Sequence, residues 1–105
     1  MLLRPLGSFE FRILSVLINQ PHDAYGATIQ ERLADDTERD VSIGAVYTAL
    51  DRLERKGFVT SWWGEKTPER GGRRKRYYRI EASGREAVRR TEALFTTPSL
   101  APGVA

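Results

Sequence analysis

A mainly α fold carrying one small β-hairpin is what the sequence predicts, on three observations. The stretch from Ser42 to Gly57 reads as a helix with both ends marked. Apolar residues recur at helical spacing in two segments before it and in one near the C-terminus. Directly after Gly57 the period falls from 3.6 to 2, and two short alternating runs flank a turn-rich, basic segment.

Taken in order, Ser8 is the expected N-cap of a first helix running to about residue 19, behind a lead-in with Pro5 and Gly7. Phe9, Ile13, Val16 and Leu17 line one side of it, and Phe11, Leu14 and Ile18 line another. A helix apolar on most of its circumference is buried on more than one side, and a small core has little capacity to surround it. A second subunit is therefore expected on the side of Phe11, Leu14 and Ile18, the alternative being that this is the central helix of a single chain. Gln20, Pro21, His22 and Asp23 end this helix and cap the next, in which Tyr25, Ile29 and Leu33 form a narrow apolar stripe as far as about residue 35. His22, the only histidine, is expected at the surface with no metal and no catalysis.

In the third helix Ser42 can accept a first-turn N–H, Gly57 can adopt the left-handed conformation past the last turn, and Arg55 and Lys56 sit at the negative helix end. Ile43, Val46, Ala49, Leu50 and Leu53 fall on one side; Gly44, Thr48, Asp51, Arg52 and Arg55 fall on the other. Gly44 gives up roughly 0.8 to 1 kcal/mol of helix propensity relative to alanine. A helix whose first turn must come close to a DNA backbone has a use for that loss.

After Gly57, Phe58, Thr60 and Trp62 alternate with Val59, Ser61 and Trp63, and the turn-rich residues 64 to 72 follow. A second strand from about residue 73 to 80 places Arg76, Tyr78 and Ile80 on one face, with Tyr78 and Ile80 toward the core. One Trp is expected to pack on the core and the other to lie partly exposed. The final helix gathers Ala87, Val88, Thr91, Leu94 and Phe95 on one side. Too short to be stable alone, it is expected to pack on the two-faced first helix of another subunit. The dimer contacts are thus expected at Phe11, Leu14, Ile18, Val88, Thr91, Leu94 and Phe95.

A chain of 105 residues with 17 Lys+Arg against 14 Asp+Glu fits one small, mildly basic domain. It has no cysteine, hence no disulfide framework and no cysteine zinc site. No apolar run approaches the ~20 residues that span a bilayer, and the N-terminus lacks a signal-peptide pattern. A cytoplasmic protein without cofactor, metal or membrane partner is expected. One histidine, no cysteine and no Gly-rich phosphate loop leave no convergent catalytic set, so no enzyme activity is expected. The basic charge is uneven, since Arg70, Arg73, Arg74, Lys75, Arg76 and Arg79 lie close together with no acid between them.

Three helices followed by a basic hairpin describe a winged helix-turn-helix, in which the Ser42 helix enters the major groove and the hairpin, its tip at residues 65 to 76, lies on the phosphates or in the minor groove. Double-stranded DNA is the partner this implies, with Thr48, Asp51 and Arg52 placed for base edges. A winged-helix module whose basic wing binds an acidic protein is the alternative. The expected division is a DNA-binding domain over residues 1 to 80, a dimerisation helix over 81 to 96 and a disordered tail over 97 to 105.

Leu6-Gly7, Tyr25-Gly26 with Ile29, Gly44-Ala45-Val46-Tyr47 with Leu50, Arg52-Leu53-Glu54 with Gly57, and the run from Gly72 through Arg73, Arg74, Lys75, Arg76, Tyr77, Tyr78 and Arg79 to Ile80 with Gly84 form an ordered set of spacings. In these residues the chain resembles the PadR family of transcriptional regulators, over about residues 6 to 95. The resemblance implies a bacterial repressor that dimerises and binds a palindromic operator near its own or neighbouring promoters. Carried over from the family, Ser42, Gly44, Tyr47 and Thr48 would approach DNA, Tyr47 serving a phosphate, with Arg73, Arg74, Lys75 and Arg76 on the wing; Ala45, Asp51, Arg52 and Arg55 complete the expected DNA-binding face of the helix. Longer relatives sense small molecules between subunits; with one C-terminal helix this chain resembles the short branch, where an effector pocket has less room. Glu81 stands where the family usually has threonine, so the final helix is expected to begin from Ser83.

Overall fold

In the computed structural model, residues 6–22, 24–37, 41–65 and 74–96 are described. Their elements are α1 (Ser8–Asn19), α2 (Gly26–Thr37), α3 (Ile43–Arg55), β1 (Val59–Trp63), β2 (Arg76–Ile80) and α4 (Ala82–Thr96). The expected tail at 97–105 and most of the hairpin tip, 66–73, lie outside the described residues.

α1 is the central helix. Ile13, Leu14, Val16 and Leu17 are buried, and α2, α3, α4 and β2 all pack on it. Phe9, Phe11 and Ile18 are half-buried against the same core. Its N-cap is Gly7, in extended conformation with no side-chain cap, whereas Ser8 stands inside the first turn. On the second apolar side of α1, Leu14 is buried within the chain, while α4 also packs on α1: the Leu6 N–H donates to Thr91 Oγ1 at 3.3 Å, and Val88 and Thr91 are buried.

α2 begins later than its apolar stripe suggests. Tyr25 precedes the helix and caps it through Thr28, whose hydroxyl accepts from the Tyr25 N–H at 3.0 Å and donates to the Tyr25 carbonyl at 2.9 Å. Ahead of that cap the chain runs beside β2, with the Tyr78 N–H donating to the Ala24 carbonyl at 2.9 Å and Tyr25 bridging Tyr77. Ile29 and Leu33 are fully buried, as their spacing predicts.

α3 matches its predicted ends. Ser42 Oγ accepts the Ala45 N–H at 3.0 Å. At the other end Gly57 has φ of 82° and the Phe58 N–H reaches back to the Leu53 carbonyl at 2.9 Å, the bond that closes a left-handed C-terminal cap. Val46, Ala49, Leu50 and Leu53 are buried. Ile43, expected beside them, is 39% exposed, because the first turn of α3 extends past the edge of the core.

β1 and β2 pair antiparallel with Val59 opposite Ile80, Ser61 opposite Tyr78 and Trp63 opposite Arg76. Val59, Tyr78 and Ile80 face the core. β2 starts at Arg76 rather than near residue 73. α4 starts at Ala82, one residue beyond Glu81, so the expected start from Ser83 does not hold. Ser83 is used elsewhere: its hydroxyl donates to the Gly57 carbonyl at 2.6 Å, while the Glu81 N–H donates to the Phe58 carbonyl at 2.8 Å. Lys56 bonds Glu10 at 3.1 Å, tying the end of α3 to α1.

On the outer side of α4, Glu86 accepts from both Arg89 and Arg90. Those bonds, first to Arg89 and then to Arg90, hold its carboxyl down from 4.5 to about 2. A carboxylate depressed in the folded state contributes stability above its unfolded value and loses it as pH falls through the folded one. Helicity of α4 is therefore expected to decline between pH 4.5 and about 2 in the wild type. Glu86→Gln should lack that component; identical acid titrations by circular dichroism would remove the assignment.

Candidate nucleic-acid interface

The solvent face of α3 is little used by the rest of the described chain. Ser42, Gly44, Ala45, Tyr47, Thr48, Asp51, Arg52 and Arg55 are all exposed. Among the described residues no side-chain hydrogen bond or ion pair engages Thr48, Asp51, Arg52 or Arg55. A Cβ on Gly44 would meet nothing within 4 Å, so packing does not explain the glycine. Tyr47, 42% exposed, lays its phenol end against Gly26 in the first turn of α2, where any side chain would collide with it. The phenol is thereby held beside the positive end of α2.

The hairpin stands next to this face. Arg73 lies outside the described residues. Arg74 is exposed and its Nε donates to the Gly64 carbonyl at 3.0 Å. Lys75 Nζ sits 4.5 Å from the centre of the Tyr25 ring and donates to Tyr25 Oη at 3.5 Å. Arg76, expected to reach outward with the other three, is turned back on the domain. Its Nε donates to Ser61 Oγ at 3.0 Å, Ser61 Oγ donates to Glu54 Oε2 at 2.8 Å, and Arg76 Nη2 lies 3.5 Å from Glu54 Oε1. Beneath them burial pushes the Tyr78 hydroxyl above its usual range, so it stays neutral.

The sheet's outer face carries a row of rings. Tyr25 meets Tyr77 edge-on at 5.7 Å, and Tyr77 stacks on Trp62 at 5.9 Å with Arg79 above the indole at 5.7 Å. Neither Trp packs on the core as expected for one of them: Trp62 is 43% and Trp63 54% exposed. Trp63 is on the core-side face but past the reach of the core, where the Arg76 guanidinium covers it at 5.3 Å. Sequence reasoning missed Ala24 and Tyr25 as an added edge, and Glu54 and Ser61 as partners of Arg76. The seven-residue step from Glu54 to Ser61 crosses from helix to strand, and no single period links them. Among the described residues no three His, Cys, Asp or Glu side chains cluster to hold a metal.

The profile of the PadR-like transcriptional regulator family matches residues 13–90. The chain belongs to that family. Its members are DNA-binding transcriptional regulators rather than enzymes as a class. A PadR-like transcription factor from Bacteroides fragilis has the same fold, with a TM-score of 0.74 at 24% identity over 87% of this chain and 82% of its own. A PadR family regulator from Eggerthella lenta is 26% identical over 87% and 80% of the two chains, with a TM-score of 0.67. A transcriptional regulator from Clostridium thermocellum is 27% identical over 95% of this chain and 99% of its own, with a TM-score of 0.68. Among curated proteins none matches the sequence.

In this PadR-like regulator the residues expected at a subunit contact divide into two groups. Leu14, Val88 and Thr91 are buried within the chain, at 0%, 5% and 2% exposure, and have no surface to offer a partner. Phe11 and Ile18 remain half-buried, and Leu94 and Phe95 are 63% and 81% exposed. No described helix is long and apolar enough to cross a membrane.

Proposed function

We propose that the chain is a dimeric, sequence-specific repressor of transcription acting in the cytoplasm, with α3 in the major groove of a palindromic operator and the hairpin on the adjoining backbone or minor groove. The observation that carries this reading is the exposed polar face of α3, bearing Thr48, Asp51, Arg52 and Arg55 with no partner among the described residues. Ser42, Gly44 and Ala45 open the helix toward the duplex, and the open space over Gly44 admits a close backbone. Tyr47, held at the start of α2, serves a phosphate. Arg73, Arg74 and Lys75 supply the wing. Leu94 and Phe95, with Phe11 and Ile18 of the other subunit, close a dimer that sets two copies of α3 about 34 Å apart, one turn of DNA.

A fluorescence-anisotropy titration tests the proposal, with DNA from upstream of the gene and a scrambled duplex compared at several salt concentrations. The upstream segment is expected to bind tighter by about a thousandfold or more. Arg73→Ala with Arg74→Ala should weaken both duplexes alike and reduce the salt slope by about 1 to 2 units. An unchanged slope would take these arginines off the phosphates. Absence of binding to any duplex would favour a module for an acidic protein partner.

A further inference from the structure

The base of the hairpin is fastened to α3 by groups that the proposed DNA contacts leave unused. We infer that Glu54, Ser61 and Arg76 form a positioning strut that sets the wing's angle to α3, so that Glu54, an acid beside a DNA-binding surface, promotes DNA binding. The inference rests on the DNA-binding reading of α3 and the wing.

Arg76 is the first residue of β2 and pairs with Trp63, the last of β1. That pair closes the two strands, and one further bond, from the Gly64 N–H to the Lys75 carbonyl at 2.7 Å, continues from it, so whatever holds Arg76 also holds the start of the wing at residues 64 and 75. Glu54 belongs to the last turn of α3, which ends at Arg55. The Ser61 hydroxyl donates to one carboxylate oxygen while accepting from Arg76 Nε, and Nη2 of the same guanidinium faces the other oxygen. Both carboxylate oxygens are thus engaged. Side-chain exposures of 33% for Glu54 and 37% for Arg76 place the pair where water screens it less than an open surface pair. The Trp63 ring covers the guanidinium at 5.3 Å, which leaves Arg76 little freedom to swing toward a phosphate. A two-stranded hairpin is marginal unless packed or tied, and this tie joins the last residue pair of its two strands to α3.

The sign of one substitution separates a strut from an ordinary charge. Removing an acid near phosphates strengthens DNA binding when the acid acts only through its field. Glu54→Ala in the whole 105-residue chain is instead expected to weaken binding to the upstream duplex by about three- to thirtyfold, within the span of coupling energies in one hydrogen-bonded network. The scrambled duplex should bind nearly as before, with the salt slope unchanged, so the specificity ratio shrinks. Ser61→Ala should act in the same direction, and pairing Glu54→Arg with Arg76→Glu should bind better than Arg76→Glu alone. Hydrogen exchange at the Trp63 and Arg76 amides of the free protein should quicken in Glu54→Ala. Equal or tighter binding by Glu54→Ala and Ser61→Ala would overturn the strut, as would a slope reduced by about one unit in Arg76→Gln, the mark of a lost phosphate contact. If the wild type bound no duplex, the DNA reading itself would fall and this inference with it.

Discussion

Leu94→Asp combined with Phe95→Asp is expected to leave the protein folded but monomeric at low micromolar concentration. Both side chains are exposed, 63% and 81%, so neither contributes to the core of its own chain. Burying a side chain of this kind is worth about 1.5–3 kcal/mol. A two-fold contact would use each twice. Affinity for an operator with two half-sites should fall at least a hundredfold, because the second half-site would lose its tethered partner and the gain from linkage is about 10² to 10⁴. Sedimentation and anisotropy on the same samples check both parts. A double variant that stays dimeric and binds normally would remove α4 from the subunit contact.

Gly84→Ala is expected to lower the melting temperature by about 5 to 15 °C, which corresponds to roughly 1–3 kcal/mol of overpacking in a domain of this size. A helical glycine replaced by alanine ordinarily gains up to about 1 kcal/mol. Here the new methyl would lie 2.8 Å from Ile80 Cγ1 and collide with the Phe58 carbonyl oxygen, a backbone atom already held by the Glu81 N–H. Gly44→Ala is the contrast, since open space surrounds it. It should gain stability by up to about 1 kcal/mol while weakening DNA binding. Thermal melts of the two variants moving in the same direction would contradict this account.

Local chemistry was legible in the sequence and the sharing of surfaces was not. Ser42 and Gly57 marked the ends of α3 because a cap needs one side chain and one φ, both written at a single position. The alternation around Tyr78 and Ile80 assigns the core face of the second strand for the same reason, and Val59 joins them there. The second side of α1 points to another subunit on its wheel alone, which does not record that Leu14 is buried within the chain and that α4 packs on α1. Ile43 and Trp63 lie on correct faces but beyond the end of the core, and periodicity gives a direction without a length. The exposed α3 residues were read from the same wheel and lie where it placed them. Arg76 was grouped with its basic neighbours because its partners stand 22 and 15 positions away.

The turn after α3 joins three parts of the molecule within three residues. Lys56 reaches Glu10, the Gly57 carbonyl receives Ser83 and the Phe58 carbonyl receives Glu81. The end of α3 and the start of the helix that carries Leu94 and Phe95 therefore meet through hydrogen bonds at this turn. In the proposed dimer closed through α4, this would make the protein a caliper: the jaw opening would be set at the hinge of the two subunits and delivered to the tips. Such an instrument measures the distance between half-sites as strictly as it reads their letters. On that proposal, an operator lengthened by one base pair would rotate and displace its second half-site beyond the jaw, although every base assigned to α3 would still be there.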